Sequence, residues 1–275
     1  MRKLLVAFGA LAAGVLAPTF SNISWASPTT AAVFSGQTSI SAAPRSDPAA
    51  TAQMKAALRH GGAKSSLHYV STSVGSGITT TIVGDVGKTV GTQTIYVRDK
   101  KVTATMVIRL VGHEAYFKGA AAAIYVLIGL TPAQSDAAAG RWISVVPSDS
   151  VYQSIAAALT VGSVMSELAL SQPIVGTRDV MAEGQPALEI SGAWTGNGIT
   201  AKDHATGALD VTRGARSLPV SFSGVEPKNA KTSRFTSRFV VSHWGESVDV
   251  APPAFSVPLS TILKATTTTT APVVV

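Results

Sequence analysis

The sequence predicts an α+β protein in which a strongly bent antiparallel sheet wraps around a few helices. Strand signals dominate residues 67–119 and return from residue 176 onward, and each apolar stretch is bounded by turn residues. The stretch between these two blocks has helical patterns instead. Because one face of such a sheet is apolar and needs a cover, the central helices are expected to pack against strands from both blocks.

The first predicted element is a short helix in "DPAATAQMKAALRHGG". Asp47 can cap its amino terminus, and Met54, Ala57 and Leu58 share one face. The pair of glycines at its end is expected to stop it.

The first block of strands alternates between apolar and polar residues. In "VTATMVIRL" the residues Met106, Ile108 and Leu110 share one face, whereas Thr103 and Arg109 share the other. This pattern predicts a sheet with one buried and one solvent-exposed face. We expect Arg109 to point to solvent, with Ile108 and Leu110 pointing inward.

The central block contains "AAAAIYVLIGL", residues 120–130, an exceptionally apolar stretch. Eleven helical residues rise about 16 Å, roughly half the hydrocarbon thickness of a bilayer, so the stretch cannot span a membrane. A core helix and the wall of an apolar pocket both remain open. Thr131 and Pro132 then predict the start of a second helix, and "SDSVYQSIAAALTVGSVMSELAL" predicts a further helical region.

The second block of strands again places apolar residues on common faces. The predicted strands are "PALEISGAW", "TGALDVTRG", "SLPVSFSG" and "SRFTSRFVVSHWG". The expected groups on one face are Leu188 with Ile190, Leu209 with Val211, Leu218 with Val220 and Phe222, and Phe235 with Phe239 and Val241.

The amino terminus has the features of an export signal. A basic start precedes an apolar run over residues 4–17, and Ser24 and Ala26 supply the small residues that a signal peptidase prefers. We expect residues 1–26 to be cleaved after Ala26, the alternative being an uncleaved anchor. Further expectations are a secreted or extracytoplasmic location, a flexible leader over 27–50, one domain over 51–262 and a disordered tail over 263–275.

Composition limits the chemistry that this chain can perform. It contains no cysteine, which excludes disulfides, thiolate metal sites and a lipidated cysteine. Removal of Arg2 and Lys3 with the signal lowers the formal charge from +7 to +5. With 13% charged residues and no basic stripe interleaved with aromatics, nucleic acid is not expected as a partner, whereas weak attraction to anionic envelope surfaces is.

Motifs for catalysis are incomplete. "GDVGKTVG" has Ile82 where a phosphate loop needs a glycine, and "GSGITT" has Thr80 in place of the third glycine of a dinucleotide fingerprint. "HEAYF" has Phe117 where a zinc protease needs its second histidine. The first two are interpreted as hairpin turns. We predict no catalytic residue, no metal site and no cofactor, which makes a hydrolase the weakest hypothesis.

The order of "SSLHYVSTS", "GTQTIYV", "VGHEAYFKG", "AGRWISVVPSDSVYQSIAAALT", "LPVSFSG" and "FVVSHWGESVDVAPP" resembles the actinobacterial exported proteins related to the LppX and LprG lipoproteins. The resemblance covers roughly residues 50–260. It implies a LolA-like half-barrel, in which a curved antiparallel sheet covers helices with an apolar cavity between them. It also implies that acylated lipids or glycolipids are carried through the envelope. The lipoprotein members have a cysteine after the signal that this chain lacks.

Two functions follow from the sequence besides the weak hydrolase hypothesis. The first is an exported, non-enzymatic carrier or binder of lipids or lipoconjugates, with transient contact to the envelope membrane. The alternative is an extracytoplasmic protein-interaction or sensor module with a filled core and no lipid ligand. The residues predicted to enclose the cavity in the first case are Met106, Ile108, Leu110, Ile124, Leu127, Ile128, Leu130, Ile155, Leu159, Met165, Leu168, Leu188, Ile190, Leu209, Val220 and Phe222.

Overall fold

The computed structural model describes residues 45–100, 102–195, 204–227 and 234–265. The predicted signal peptide with its cleavage site, most of the predicted leader and the chain beyond residue 265 lie outside these ranges. Within them, no helix combines the length and the apolar character needed to cross a bilayer.

The described strands form one open sheet, antiparallel except at one edge, where β12 pairs with β6 in parallel. Its order is β12-β6-β5-β4-β3-β2-β1-β11-β10-β9-β8-β7, so the sheet does not close on itself. The strands are β1 (Ser66–Gly75), β2 (Ile78–Gly87), β3 (Val90–Arg98), β4 (Thr103–Val111), β5 (Glu114–Gly119), β6 (Ile143–Val145), β7 (Ser171–Ala182), β8 (Gln185–Ala193), β9 (Thr206–Thr212), β10 (Pro219–Glu226), β11 (Phe235–Ser242) and β12 (Val257–Pro258).

The helices cover one face of this sheet, which is its concave face. Helix α1 packs against β7, β9 and β10 in one half of the sheet, and α2 and α4 pack against β4 and β5 in the other half. The predicted α+β class with a curved sheet over helices is therefore confirmed. The helices are α1 (Pro48–Gly62), α2 (Ala121–Ile128), α3 (Pro132–Ala138), α4 (Tyr152–Ala158), α5 (Val161–Glu167) and α6 (Leu259–Ala265).

Helix α1 begins as the sequence predicts, and a glycine near its end has a packing role. The Asp47 carboxylate accepts hydrogen bonds from the backbone N–H groups of Ala49 and Ala50, at 2.8 and 3.2 Å. The helix thus starts three residues before the domain boundary expected at residue 51, and at the far end α6 continues beyond the expected boundary at 262. A Cβ atom on Gly61 would lie 2.5 Å from the Met165 sulfur, so this glycine allows α1 to approach α5 closely.

Strand β4 has the predicted orientation. Ile108 and Leu110 are buried, and Arg109 lies on the opposite, convex face. The Arg109 guanidinium lies 4.6 Å from the centre of the Trp142 ring, and its Nη1 donates to the Ala251 carbonyl at 3.1 Å. The C-terminal strap, residues 243–256, thus crosses the convex face, which the alternation in β4 predicted to be exposed to solvent.

Two expectations about the helices and strands need correction. The predicted helical region after residue 150 is split into α4 and α5, because the Thr160 side chain caps a new helix by accepting from the Ser163 N–H. Val220 does not share a face with Phe222. The pairing of β10 with β9 shifts between Pro219 and Ser221, and this β-bulge places Val220 in a separate small cluster with Ala182 and Ala187.

The motifs rejected as catalytic lie in antiparallel hairpins. Lys88 of "GKT" lies in the turn between β2 and β3. Ser76 and Gly77 form the turn between β1 and β2, both with positive φ. "HEAYF" lies on the β4–β5 hairpin, and its Phe117 is fully buried in the core.

Candidate functional site

A small apolar slot opens on the concave face, between α2 and the adjacent ends of β2, β3 and β4. Its volume is about 180 Å³. An engineered apolar cavity of about 150 Å³ in another protein stays dry and binds benzene, so this slot has the size for an apolar group. It is lined by Ile78, Val97, Asp99, Val102, Ala104, Ala122, Ala123, Val126 and Leu127.

The single carboxylate of the slot is used by the turn that it belongs to. Asp99 Oδ1 accepts a hydrogen bond from the Val102 N–H at 2.7 Å, which stabilises the connection between β3 and β4. The other lining side chains are aliphatic. The slot therefore offers dispersion and hydrophobic contact rather than polar recognition.

The slot exists because small side chains are aligned in register across the concave face. One row of cross-strand partners, close to the strand ends, contains mostly small residues, whereas the next row contains mostly large apolar residues. The first row is Gly192, Gly207, Gly224, Ser237, Ser73, Thr80, Val97 and Ala104. The second row is Ile190, Leu209, Phe222, Phe239, Ser71, Ile82, Ile95 and Met106.

The two ends of this small-residue row are covered differently. Over the glycine end, the Trp194 ring packs so tightly that a Cβ atom on Gly224 would lie 2.5 Å from it. Over the other end, Ala104 faces helix α2, which presents Ala122 and Ala123. Small residues on both the strand and the helix leave the slot between them.

Most of the residues predicted to enclose a ligand instead form the packed interior. All of them except Leu188, which is partly buried, and Val220 belong to the main buried cluster. Of the predicted set, Leu127 lines the slot. Several have no surface that a water molecule could touch, at 0% exposure: Met106, Ile108, Ile124, Ile155, Leu159, Leu168, Ile190 and Leu209.

Sequence reasoning missed the residues that shape the slot because it selected large apolar side chains. Ala104, Ala122 and Ala123 shape the slot because their small side chains leave space. An alanine in a sequence does not by itself indicate that free space lies beside it. The run of alanines before Ile124 was visible in the sequence, but its position opposite Ala104 depends on long-range packing.

A second concavity lies at the ends of β7 to β10. This trough has a volume of about 760 Å³ and is lined mainly by small and hydroxyl side chains, including Ser191, Thr195, Thr206 and Ser223. Apolar surface predominates in this lining, as it does in the slot, but the trough is wider and more open to solvent. Trp194 also lines it, and the ring packs against Phe222 and Phe235.

The ionisable groups with displaced pKa values lie away from the slot. Burial, with the nearby Glu167 and Asp85 charges, raises the pKa of Tyr69, whose hydroxyl donates to Gln93 Oε1 at 2.7 Å. Desolvation and the hydrogen bond to Glu114 raise the pKa of Tyr116 to about 12. Within the described ranges, no three His, Asp or Glu side chains are grouped as a metal site would require.

Comparison with known proteins gives similarity to solved structures only. No family model and no curated protein matches the sequence. LprF from Mycobacterium bovis is 14% identical over 77% of this chain and 100% of its own, with a TM-score of 0.45. The Mycobacterium tuberculosis lipoprotein LppX is 16% identical over 75% of this chain and 100% of its own, with a TM-score of 0.44. The resemblance to LppX-related proteins is confirmed in that these two are structural neighbours, and at these identities the likeness concerns the fold alone.

Proposed function

We propose that this protein is a non-enzymatic, extracytoplasmic binder of lipids or lipoconjugates that takes part of an acyl chain into the slot beside α2. The observation that carries the proposal is the slot itself, an apolar space of about 180 Å³ between aliphatic side chains. Each methylene group transferred from water into such a space contributes about 0.8 kcal/mol.

The surroundings of the slot support entry from solvent. Val102 lines the slot and is 47% exposed, so the slot reaches the surface at the strand ends. Tyr125, on the helix that forms one wall, is 51% exposed. An acyl chain could therefore enter from this side while its polar headgroup stays in water.

An interaction or sensor module without a lipid ligand is the second candidate function. It is favoured by the complete burial of residues such as Met106, Ile155 and Leu159, which pack the interior behind the slot. The two functions differ in one respect. A lipid binder needs the slot to be free for a ligand, whereas an interaction module does not.

The same substitution at two positions separates these functions. Leu127→Trp should fill the slot and weaken binding of a fluorescent long-chain fatty acid at least tenfold, while the melting temperature changes by a few degrees at most. Leu159→Trp is the matched control. Leu159 has no exposed surface and belongs to the main buried cluster, so an indole there should cost about 1–3 kcal/mol.

Fluorescence titration and thermal unfolding of both variants give the answer. The proposal fails if the unmodified protein binds no fatty acid, or if Leu127→Trp binds it as tightly as the unmodified protein does. In the first case the interaction module becomes the better account.

A further inference from the structure

The end of the sheet where the slot opens is rich in basic residues. We call this end the slot rim. It comprises the β1–β2 and β3–β4 turns, the ends of β5, β8 and β10, and the starts of β6, β7, β9 and β11. Its described acidic residues are Asp99, which is bonded to its own turn, and Glu226, which is buried. Beside the slot rim also lie Asp47, with Arg45, near the start of β7, and Asp136 near Arg141. Its described basic residues are all exposed: Arg98, Lys100, Lys118, Arg141 and Arg234.

Exposed apolar side chains lie at the same rim. Phe255 is 89% exposed at the end of the C-terminal strap. The Val257 N–H donates to the Trp142 carbonyl at 2.8 Å, and β12 runs parallel to β6, so Phe255 lies just beyond the slot-rim end of both strands. Tyr125 and Val102 are exposed beside the slot. Aromatic and aliphatic groups therefore accompany the positive charge.

The opposite rim has a different character. It comprises the β2–β3, β4–β5 and β7–β8 turns and the segments next to them. It also exposes apolar residues, with Met181 at 68% and Val146 at 43%. Its charges, however, are balanced, because Lys64, Lys88, Arg213 and Arg216 stand against Asp85, Glu114, Glu183 and Glu246.

We propose that the slot rim is the face with which this protein docks on an anionic lipid bilayer. The basic side chains attract the negatively charged headgroups, and the attraction adds up over several residues close to the surface. Phe255, Tyr125 and Val102 enter the interface between headgroups and acyl chains, which is the arrangement found in interfacial anchors. Docking in this orientation brings the mouth of the slot to the lipid, so the inference extends the proposed function to its partner surface.

The test measures binding to vesicles of zwitterionic phosphatidylcholine with and without about 30% anionic phosphatidylglycerol. The anionic lipid gives the vesicles the negative surface potential of an anionic leaflet. Protein exported into the medium is used, with its amino terminus checked by mass. We expect binding to the anionic vesicles that falls as salt rises. Arg98→Gln with Lys100→Gln should weaken it about 25-fold, at roughly fivefold per charge, and Phe255→Ser about tenfold.

Matched variants on the opposite rim serve as controls. Lys88→Gln with Arg216→Gln, and separately Met181→Ser, remove the same kinds of side chain and should leave vesicle binding within twofold. Equal losses from both rims, or equal binding to both vesicle types, would overturn the docking proposal.

Fatty-acid titration of the same variants keeps this inference separate from the proposed function. Variants of the slot rim that lose vesicle binding should still bind a soluble fatty acid. Leu127→Trp should lose the fatty acid and keep vesicle binding. If vesicle binding is absent while the fatty acid binds, the docking surface is wrong and the slot stands.

Discussion

Two carboxylates opposite each other on the convex face have pKa values displaced in opposite directions. Glu189 and Asp210 are cross-strand partners on β8 and β9. The Arg178 guanidinium, with Nε and Nη2 at 2.7 and 2.9 Å from the two carboxylate oxygens, lowers the pKa of Glu189. Burial raises the pKa of Asp210, and the hydrogen bond from the Ser221 hydroxyl at 2.5 Å offsets this in part.

These displacements predict a pH-dependent gain from Asp210→Asn. A carboxyl group whose pKa is raised on folding costs stability once it ionises, so the cost is present at pH 7 and absent below the ordinary pKa of about 4. Asp210→Asn should therefore raise the melting temperature at pH 7 by about 1–3 °C, and the gain should vanish near pH 3. Thermal unfolding at the two pH values measures this.

Glu189→Gln is the contrasting variant. A lowered pKa stabilises the fold above the ordinary value, and this contribution is lost as the pH falls through the folded-state pKa. The substitution should lower the melting temperature at pH 7 and have a smaller effect near pH 3. A loss of stability from Asp210→Asn at pH 7 would show that its charge is stabilised in the fold.

At the residue scale, sequence reasoning succeeded where the deciding contacts are local. The caps at Asp47 and Thr131 depend on neighbours within a few residues, and the outward direction of Arg109 follows from the alternation within β4. Val220 was assigned to the wrong face because a bulge changes the parity of the strand, and this depends on how β10 pairs with β9.

At the scale of elements, the glycines of β8, β9 and β10 allow the buried side chains of Ile174, Leu170 and Trp194 to lie close to the sheet. Gly192, Gly207 and Gly224 are cross-strand neighbours. Cβ atoms on Gly207 and Gly224 would lie 2.7 Å from Leu170 and 2.5 Å from Trp194. The concave face is thus filled at this end by side chains from above, and at the α2 end the slot is left.

Gly224→Ala should therefore be destabilising by about 1–3 kcal/mol, because the new methyl group overlaps a buried ring that cannot move freely. Gly162→Ala is the matched control. In α5 its Cβ would meet only the Thr160 hydroxyl, at 3.8 Å, so it should be neutral or stabilising by up to about 1 kcal/mol. Chemical denaturation of both variants tests the pair, and equal effects would mean that the ring is not closely packed on β10.

The elements that the sequence did not predict are those defined by distant partners. The three residues of β6 and the two of β12 become strands by pairing with each other and with β5. The C-terminal strap has no regular alternation of apolar and polar residues that would predict a strand. It is held by contacts such as the hydrogen bond from Arg109 to the Ala251 carbonyl. A longer segment with its own alternation, such as β4, was predicted correctly.

At the scale of the whole molecule, the curved sheet has a packed interior and a slot at one rim. The fold class followed from two strand blocks around a helical block, because that order leaves few arrangements that bury every apolar face. The location of free space did not follow. Buried aliphatic side chains look alike in a sequence whether they contact each other or a ligand, and only the register of Ala104 with its neighbours and the position of α2 create the slot.

Photo-crosslinking with a diazirine-labelled fatty acid tests the central claim most directly, because it locates the bound acyl chain. Six of the nine residues that line the slot, including Ala104 and the α2 residues, lie on two tryptic peptides, residues 102–109 and 119–141. We predict that mass spectrometry finds the adducts on these two peptides and that an excess of unlabelled fatty acid suppresses them. Adducts confined to β7–β10 around the trough, or no adduct that the unlabelled fatty acid displaces, would contradict the claim that the slot binds lipid.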